Sequence, residues 1–260
     1  MLHCWRIDWV NGDSMKAVVL CGGEGTRLRP YTYIVPKPML WLGGRHILEY
    51  TIEHLRKSGI KDITLSVGYL KEQIMNHFED GSKFGVNIDY FVEDEALFTA
   101  GALYPHKDKL KDERFLVFMG DHVTNINIEK FIKTHEKTGA VATIAAKKKK
   151  VSLEYGIIDG DEKTKIINGF EEKPVVNYLI NTGMYLLEPK ALEYIKPKED
   201  FAKNVFPRML KANEKLGFYK FSREYWIDIG RVKDYERMRE LFSVIDLARD
   251  LSPPLDMYEE

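Results

Sequence analysis

Apolar residues along this chain fall by turns into short unbroken runs and into runs spaced three or four apart. The segment Met15-Lys16-Ala17-Val18-Val19-Leu20-Cys21 is almost continuously apolar and stops at Gly22-Gly23, the pattern of a strand buried on both faces. From Ile47 to Lys57, the residues Ile47, Leu48, Ile52 and Leu55 recur at helical spacing, and Ser58-Gly59 supplies the stop. Strand chemistry returns over Lys61–Val67, helix over Leu70–Phe78, and an alternating strand over Val86–Val92. Arg114–Met119 contains the run FLVFM and ends at Gly120-Asp121, which predicts a central strand. A helix around Ile128–Lys137 and a strand over Ala140–Ala146 follow, and the lysine run Lys147–Lys150 reads as a solvated loop.

The second half is less regular. Short β-like pieces at 155–159, 164–170 and 178–187 precede a helix at 199–212 and a strand at 217–221. The last helix, Val232–Ala248, sets Tyr235, Met238, Leu241, Phe242 and Ile245 along one stripe, expected to pack on the body of the protein. This alternation predicts an α/β fold: a Rossmann-like mixed, mostly parallel sheet with helices on both faces and ligands at the carboxyl ends of its strands. No internal repeat interrupts it. Residues 1–14 read as an extension, either an arm or an upstream start of the reading frame.

Composition narrows the class. The 260 residues are 44% hydrophobic and 30% charged, which suits a globular chain with a sizeable core and argues against disorder. The formal net charge of −1 removes bulk attraction to polyanions, and the lysine run has no interleaved aromatics, so nucleic acid is not an expected partner. No apolar stretch approaches the roughly 18 residues of a membrane helix, and the opening residues lack a signal peptide's apolar centre. The two cysteines, Cys4 and Cys21, are too few for a disulfide framework; a reducing, cytoplasmic setting is expected.

The sharpest local signal is Gly22-Gly23-Glu24-Gly25-Thr26-Arg27-Leu28-Arg29-Pro30, directly after the first strand, followed by Pro36-Lys37-Pro38-Met39. Glycines there let successive backbone N–H groups converge on an anion, and Arg27 and Lys37 add fixed positive charge. The spacing is not that of a P-loop, and Leu28 occupies the third-glycine position of a dinucleotide fingerprint, so both rival motifs weaken.

With these residues in view, the chain resembles the sugar-1-phosphate nucleotidyltransferases, the nucleotide-sugar pyrophosphorylases, whose signature is G-G-x-G-T-R-L-x-P followed by P-K-P. The likeness continues in register over about residues 15–240 through Gly120-Asp121, Tyr155-Gly156, Glu172-Lys173-Pro174, Asn181-Thr182-Gly183 and Trp226-Ile227-Asp228-Ile229-Gly230. It implies one nucleotidyltransferase domain over 15–250: a nucleotide half at about 15–125, a sugar-phosphate half at about 126–230, a C-terminal helix at about 231–248, and a tail at 251–260. The implied substrates are a nucleoside triphosphate and a hexose 1-phosphate, with Mg2+ as cofactor. Homo-oligomerisation is left open.

The same resemblance assigns roles. Leu20, Gly22, Gly23, Gly25, Thr26, Thr99, Gly101 and Gly120 belong to the nucleotide site, with Arg27 on the departing phosphates and Lys37 on the phosphates during transfer. Asp121 and Asp228 hold the metal, and Gly156, Glu172, Lys173, Asn181 and Thr182 form the sugar-phosphate pocket. Plainer readings stand beside these: Gly120-Asp121 as a simple turn, Asp228 paired with Arg231, Lys173 as an ordinary exposed lysine. His122 is expected to be structural rather than a ligand, because Mg2+ favours oxygen.

Leu97-Phe98-Thr99-Ala100-Gly101 resembles the Leu-Gly-Thr-Ala-Gly stretch of the mannose-1-phosphate guanylyltransferase-like branch, with Phe98 in place of glycine. Arg45-His46 stands where Lys-Pro is usual, and Arg231 where threonine is usual. Mannose 1-phosphate with GTP is thus the leading pair, and glucose 1-phosphate with dTTP or UTP the runner-up. A catalytically silent regulatory or assembly subunit is the alternative from another class. In-line attack by a phosphate monoester needs no general base, since its second pKa is about 6, so the expected site is rich in cations rather than built around a histidine base.

Overall fold

The computed structural model describes residues 15–250, with side chains as far as residue 243. The extension at 1–14, the tail at 251–260, Cys4 and the side chain of Ile245 lie outside the described residues.

The chain runs through β1 (Lys16–Leu20), the short hairpin β2 (Trp41–Leu42) and β3 (Arg45–His46), α1 (Ile47–Lys57), β4 (Asp62–Val67), α2 (Lys71–Phe78) and β5 (Asn87–Val92). The short helices α3 (Phe98–Gly101) and α4 (Lys107–Leu110) lead to β6 (Phe115–Met119), β7 (His122–Thr124) and α5 (Ile128–Thr138). Four strands follow: β8 (Ala142–Ser152), β9 (Ile157–Asp161), β10 (Ile166–Glu171) and β11 (Val175–Leu187). A π-helical turn at Phe201–Val205 enters α6 (Phe206–Lys211), and β12 (Leu216–Phe221), β13 (Trp226–Asp228) and α7 (Val232–Asp250) complete the order.

Seven strands form the main sheet in the order β12-β8-β11-β6-β1-β4-β5. β1 pairs in parallel with β4 and β6, β4 with β5, and β8 with β12, while β11 runs antiparallel to β6 and β8. The sheet is therefore mixed and mostly parallel, as the alternation predicts. Its central strands are apolar throughout because successive residues enter different cores. Ala17, Val19, Leu116 and Phe118 face the layer of α1, α2 and α5, whereas Val18, Phe115 and Val117 face the layer containing α3, α4 and α6. The chain leaves β1 toward β4 on one side, and β6 lies on the other. That arrangement opens a crevice at their carboxyl ends, where doubly wound sheets bind ligands.

Three expectations are corrected. Lys147–Lys150 is not a loop: β8 continues through it, with Lys147 opposite Ile180 and Lys150 opposite Asn177 on β11. Lys148–Lys150 are exposed, so the strand has no apolar face and no alternation to betray it; the backbone ladder to β11 is what holds it extended. On α7, Tyr235, Met238 and Phe242 pack into a small cluster with Leu28, Leu42 and Ile229, but Leu241 is 51% exposed and lies off the buried stripe. The helix expected at 199–212 begins two residues later, as the π turn.

Candidate active site

The glycine turn leaves β1 at Leu20 and enters a short 3-10 turn at Thr26–Leu28. Its three glycines serve different purposes. Gly22 lies against the Glu93 carboxylate, where a Cβ would come within 2.6 Å of Oε1. Gly23 faces open space, and Gly25 holds φ near +62°, a left-handed backbone that favours glycine. The Thr32 hydroxyl donates to the Gly25 carbonyl at 2.8 Å and fixes that conformation. Gly120, at the end of β6, allows the ends of β1 and β6 to meet, because a Cβ there would sit 2.5 Å from Cys21 Sγ.

A cleft of about 250 Å3 opens above these strand ends, with Leu20, Gly23, Gly25, Thr26, Arg27 and Lys37 among its walls. Asp121 also lines it. Lys37, buried on the turn Lys37–Met39, donates to Asp121 Oδ2, and its Nζ lies 4.0 Å from Asp228 Oδ1. Arg27 is exposed at the cleft and meets no hydrogen-bond or ion-pair partner among the described residues.

What joins Asp121 to Asp228 is a two-stranded antiparallel pair: β13 runs beside β7 with Asp228 opposite His122. His122 Nε2 lies 3.6 Å from Asp121 Oδ1 and 3.5 Å from Asp228 Oδ1. On the far side of the ring, Trp226 Nε1 donates to His122 Nδ1 at 3.3 Å, which leaves the ring proton on Nε2, aimed at the two carboxylates. The Thr51 hydroxyl on α1 donates to the His122 carbonyl at 3.0 Å, anchoring the strand to the helix layer.

Burial alone would raise the Asp121 pKa, but the neighbouring His122 and the Lys37 ammonium outweigh it and hold the carboxyl below its ordinary value. Asp228 is also held low, chiefly by its hydrogen bond from His122, with help from Lys37 and Arg27. Both groups are thus carboxylates at neutral pH. Cys21 beneath them is a buried, free thiol, and burial, then Asp121 and Glu93, push its pKa well up, leaving it inert.

The other residues singled out in the sequence lie elsewhere. The Thr99 hydroxyl donates to Asp200 Oδ1 at 3.2 Å and accepts from the Phe201 N–H at 3.0 Å, so it fastens α3 to the 199–201 segment. Gly101 makes room for the same segment: a Cβ would stand 2.6 Å from the Lys198 nitrogen. Gly156 and Glu172 face each other across the arm formed by β8–β11, and Lys173 sits in the turn between β10 and β11 with φ +45°. Asn181 and Thr182 occupy an irregularity in β11, where Asn181 Oδ1 accepts from the Gly183 N–H and the Thr182 hydroxyl donates to the Ala145 carbonyl. Gly183 lies against Met119 and His122, bringing this segment beside the acidic pair.

Sequence reasoning passed over Glu93, whose pKa is raised by burial and which accepts from the Ser66 hydroxyl beside Gly22. Its position just past the carboxyl end of β5 was the available signal. Thr51 gave no signal and Trp226 stood out only within the Trp226–Gly230 motif, since their hold on His122 exists only through long-range pairing.

A glycine turn, an exposed arginine, and one ammonium shared by two carboxylates thus meet at the carboxyl ends of the strands, at the switch point of a doubly wound sheet. Residues 16–242 match the nucleotidyl transferase family, and the chain belongs to it. It is 35% identical over 241 residues to a UTP–glucose-1-phosphate uridylyltransferase of Synechocystis sp., a match covering 85% of this chain and 61% of that one. It is 38% identical over 230 residues to a mannose-1-phosphate guanyltransferase of Yarrowia lipolytica, covering 85% of this chain and 62% of the relative. The chain thus spans about three fifths of the length of these relatives.

Among solved structures, HddC from Yersinia pseudotuberculosis superposes with a TM-score of 0.70 at 27% identity, covering 88% of this chain and 99% of the other. A putative glucose-1-phosphate thymidylyltransferase from Bacillus anthracis gives 0.68 at 25% identity, with 93% and 98% covered. Among the described residues, no helix is long and apolar enough to cross a membrane.

Proposed function

We propose that this chain is a Mg2+-dependent sugar-1-phosphate nucleotidyltransferase, forming an NDP-sugar and pyrophosphate from a nucleoside triphosphate and a hexose 1-phosphate. The observation that carries this reading is the Lys37 ammonium set against both Asp121 and Asp228 at the mouth of the glycine turn. The reaction brings two polyanions together, and repulsion is its main obstacle. A site that concentrates fixed cations and oriented amides answers that obstacle through positioning and charge stabilisation.

The acidic pair fits a divalent cation. A carboxylate oxygen from each of Asp121 and Asp228 lies within 4.8 Å of the other, and the two groups already share a single cationic partner. Their oxygens are hard donors, which suits Mg2+. Such an ion supplies Lewis-acid stabilisation of phosphate charge. The chain's own groups then divide the work. The open amides near Gly23 and Gly25 cradle the triphosphate, Arg27 takes the departing pyrophosphate, and Lys37 offsets charge on the transferred phosphoryl. The Nε2–H of His122 keeps both carboxylates oriented. On the arm, Lys173 receives the sugar phosphate, and Glu172 and Asn181 accept from or donate to sugar hydroxyls.

Mannose 1-phosphate with GTP is the preferred pair, supported by the Leu97–Gly101 segment and by the guanyltransferase relative. Glucose 1-phosphate with UTP or dTTP is the second reading, favoured by the Synechocystis relative. Pyrophosphate release, measured with a panel of nucleoside triphosphates against several hexose 1-phosphates with and without Mg2+, separates them. The preferred pair is expected to give the highest kcat/KM. Absence of release with every pair would sink the transferase reading in favour of a silent subunit.

A further inference from the structure

Outside the acidic pair, a second group of ligating side chains is the one other such cluster among the described residues: His46, Glu49 and His77 each offer one atom, and the three atoms lie within 4.8 Å of one another. His46 precedes α1, Glu49 lies in that helix's first turn, and His77 is in the last turn of α2. All three are partly accessible rather than buried. His46 Nδ1 is 2.6 Å from the Met39 carbonyl, so a proton on Nδ1 donates there and the lone pair of Nε2 is left free. A backbone carbonyl on the rear nitrogen is the arrangement that orients a metal-binding imidazole and raises its basicity. The Glu49 carboxylate lies 2.9 Å from His77 Nε2, and the two imidazoles stand at 89° with centroids 4.7 Å apart.

We propose that His46, Glu49 and His77 form a binding site for a borderline transition-metal dication of the Zn2+ class. Two imidazole nitrogens and one carboxylate oxygen match the three-protein-ligand set of an open zinc site, and the nitrogen majority selects against Mg2+. Bonds of about 2.1 Å set tetrahedral donors about 3.4 Å apart, so occupancy opens the 2.9 Å approach of Glu49 and His77 slightly and brings the other donors, already within 4.8 Å, to that spacing. His77 delivers Nε2 by moving its proton to Nδ1. A cleft of about 860 Å3 bounded by His46 and His77 provides the entry path and the remaining coordination position.

The site joins parts of the fold that bear on the acidic pair. Its two helices are tied together by the ion, and the His46 hydrogen bond reaches Met39, the last residue of the turn that carries Lys37. The site therefore braces the lysine turn from behind while sharing no residue with Asp121 and Asp228.

The test is direct binding to the full chain after stripping with a chelator. The Asp121→Asn, Asp228→Asn double variant removes the competing acidic pair, and Zn2+ is titrated calorimetrically with Co2+ absorption as the coordination probe. One equivalent of Zn2+, a visible Co2+ band of low-symmetry N/O coordination, and a rise in Tm on Zn2+ addition are expected. In the same background, His77→Gln, which keeps a hydrogen-bond donor toward Glu49, is expected to weaken Zn2+ binding at least about 100-fold and abolish the Tm rise while leaving the metal-free Tm unchanged. His46→Gln is expected to weaken binding similarly. The same Zn2+ affinity in the His77→Gln variant as in its parent, or no stoichiometric binding in that parent, would overturn the proposal and leave the cluster a hydrogen-bonded contact between two helices.

Discussion

In the half that carries the glycine turn, the proposed phosphate-handling groups are largely fixed before any substrate arrives. Lys37 is bonded to Asp121, His122 is held on both sides of its ring and at its carbonyl, and Gly25 is locked by Thr32. The arm of β8–β11 is built otherwise. β9 and β10 form a separate two-stranded sheet, and Tyr155, Ile158 and Phe170 are 82%, 58% and 64% exposed. One region stores oriented charge, and the other offers adaptable surface. Charge that must act in a transition state gains from fixed geometry, whereas a pocket that grips a sugar gains from shape that can be retuned. Substitutions at the first are therefore expected to lower kcat, and at the second to raise KM.

The sharpest break in that contrast comes from Asp121→Asn, which is expected to cut the rate of pyrophosphate release roughly 1000-fold with the circular dichroism spectrum unchanged. A similar loss from Lys173→Ala would erase the distinction. The rigid half also carries a stability signature. On α1, Nε2 of His54 is buried without a hydrogen-bond partner among the described residues, and burial first of all lowers its pKa to about 4. Between that value and the ordinary 6.5, the unfolded chain binds a proton that the folded chain does not, so stability falls as pH drops through this window. The loss is about 3 kcal/mol by pH 4, and His54→Leu is expected to remove it from the pH dependence of the denaturant midpoint.

Smaller effects sharpen the comparison from the arm and from its border. Lys173→Ala is expected to raise KM for the sugar phosphate about tenfold with little change in kcat, read from initial rates at saturating nucleotide. Phe98 holds φ +60°, a left-handed backbone that is strained for a bulky residue, and its ring is 56% exposed. Phe98→Gly is expected to stabilise the fold by about 1 kcal/mol in thermal unfolding of the nucleotide-free protein. The glycine expected here from the family likeness thus has a conformational reason.

Much of the rigid half was legible because its signals are local. β1 and β6 are nearly unbroken apolar runs that end in Gly-Gly and Gly-Asp, so the crevice and the residues over it could be placed from the chain alone. The partnership of Asp121 with Asp228 came from the family resemblance alone and left no mark in the local pattern. It depends on two three-residue strands, β7 and β13, too short for any period and joined across more than a hundred residues. The lysine strand stayed hidden for a related reason, since a ladder between exposed strands leaves no mark on hydropathy. Thr99 and Gly101 were noticed as a motif, but their work in holding the 199–201 segment shows only in three dimensions.

The irregularity in β11 has a wider consequence. Between Asn181 and Tyr185 this strand advances four positions while β8 advances two, from Ala146 to Ile144. An excess of two preserves the in-and-out parity of side chains, because a strand repeats every second residue. The outer part of the arm can therefore be lengthened, shortened or exchanged in pairs of residues without turning the inner part of β11 inside out, and a lineage can remodel the distal hairpin while the sheet beneath it keeps its register.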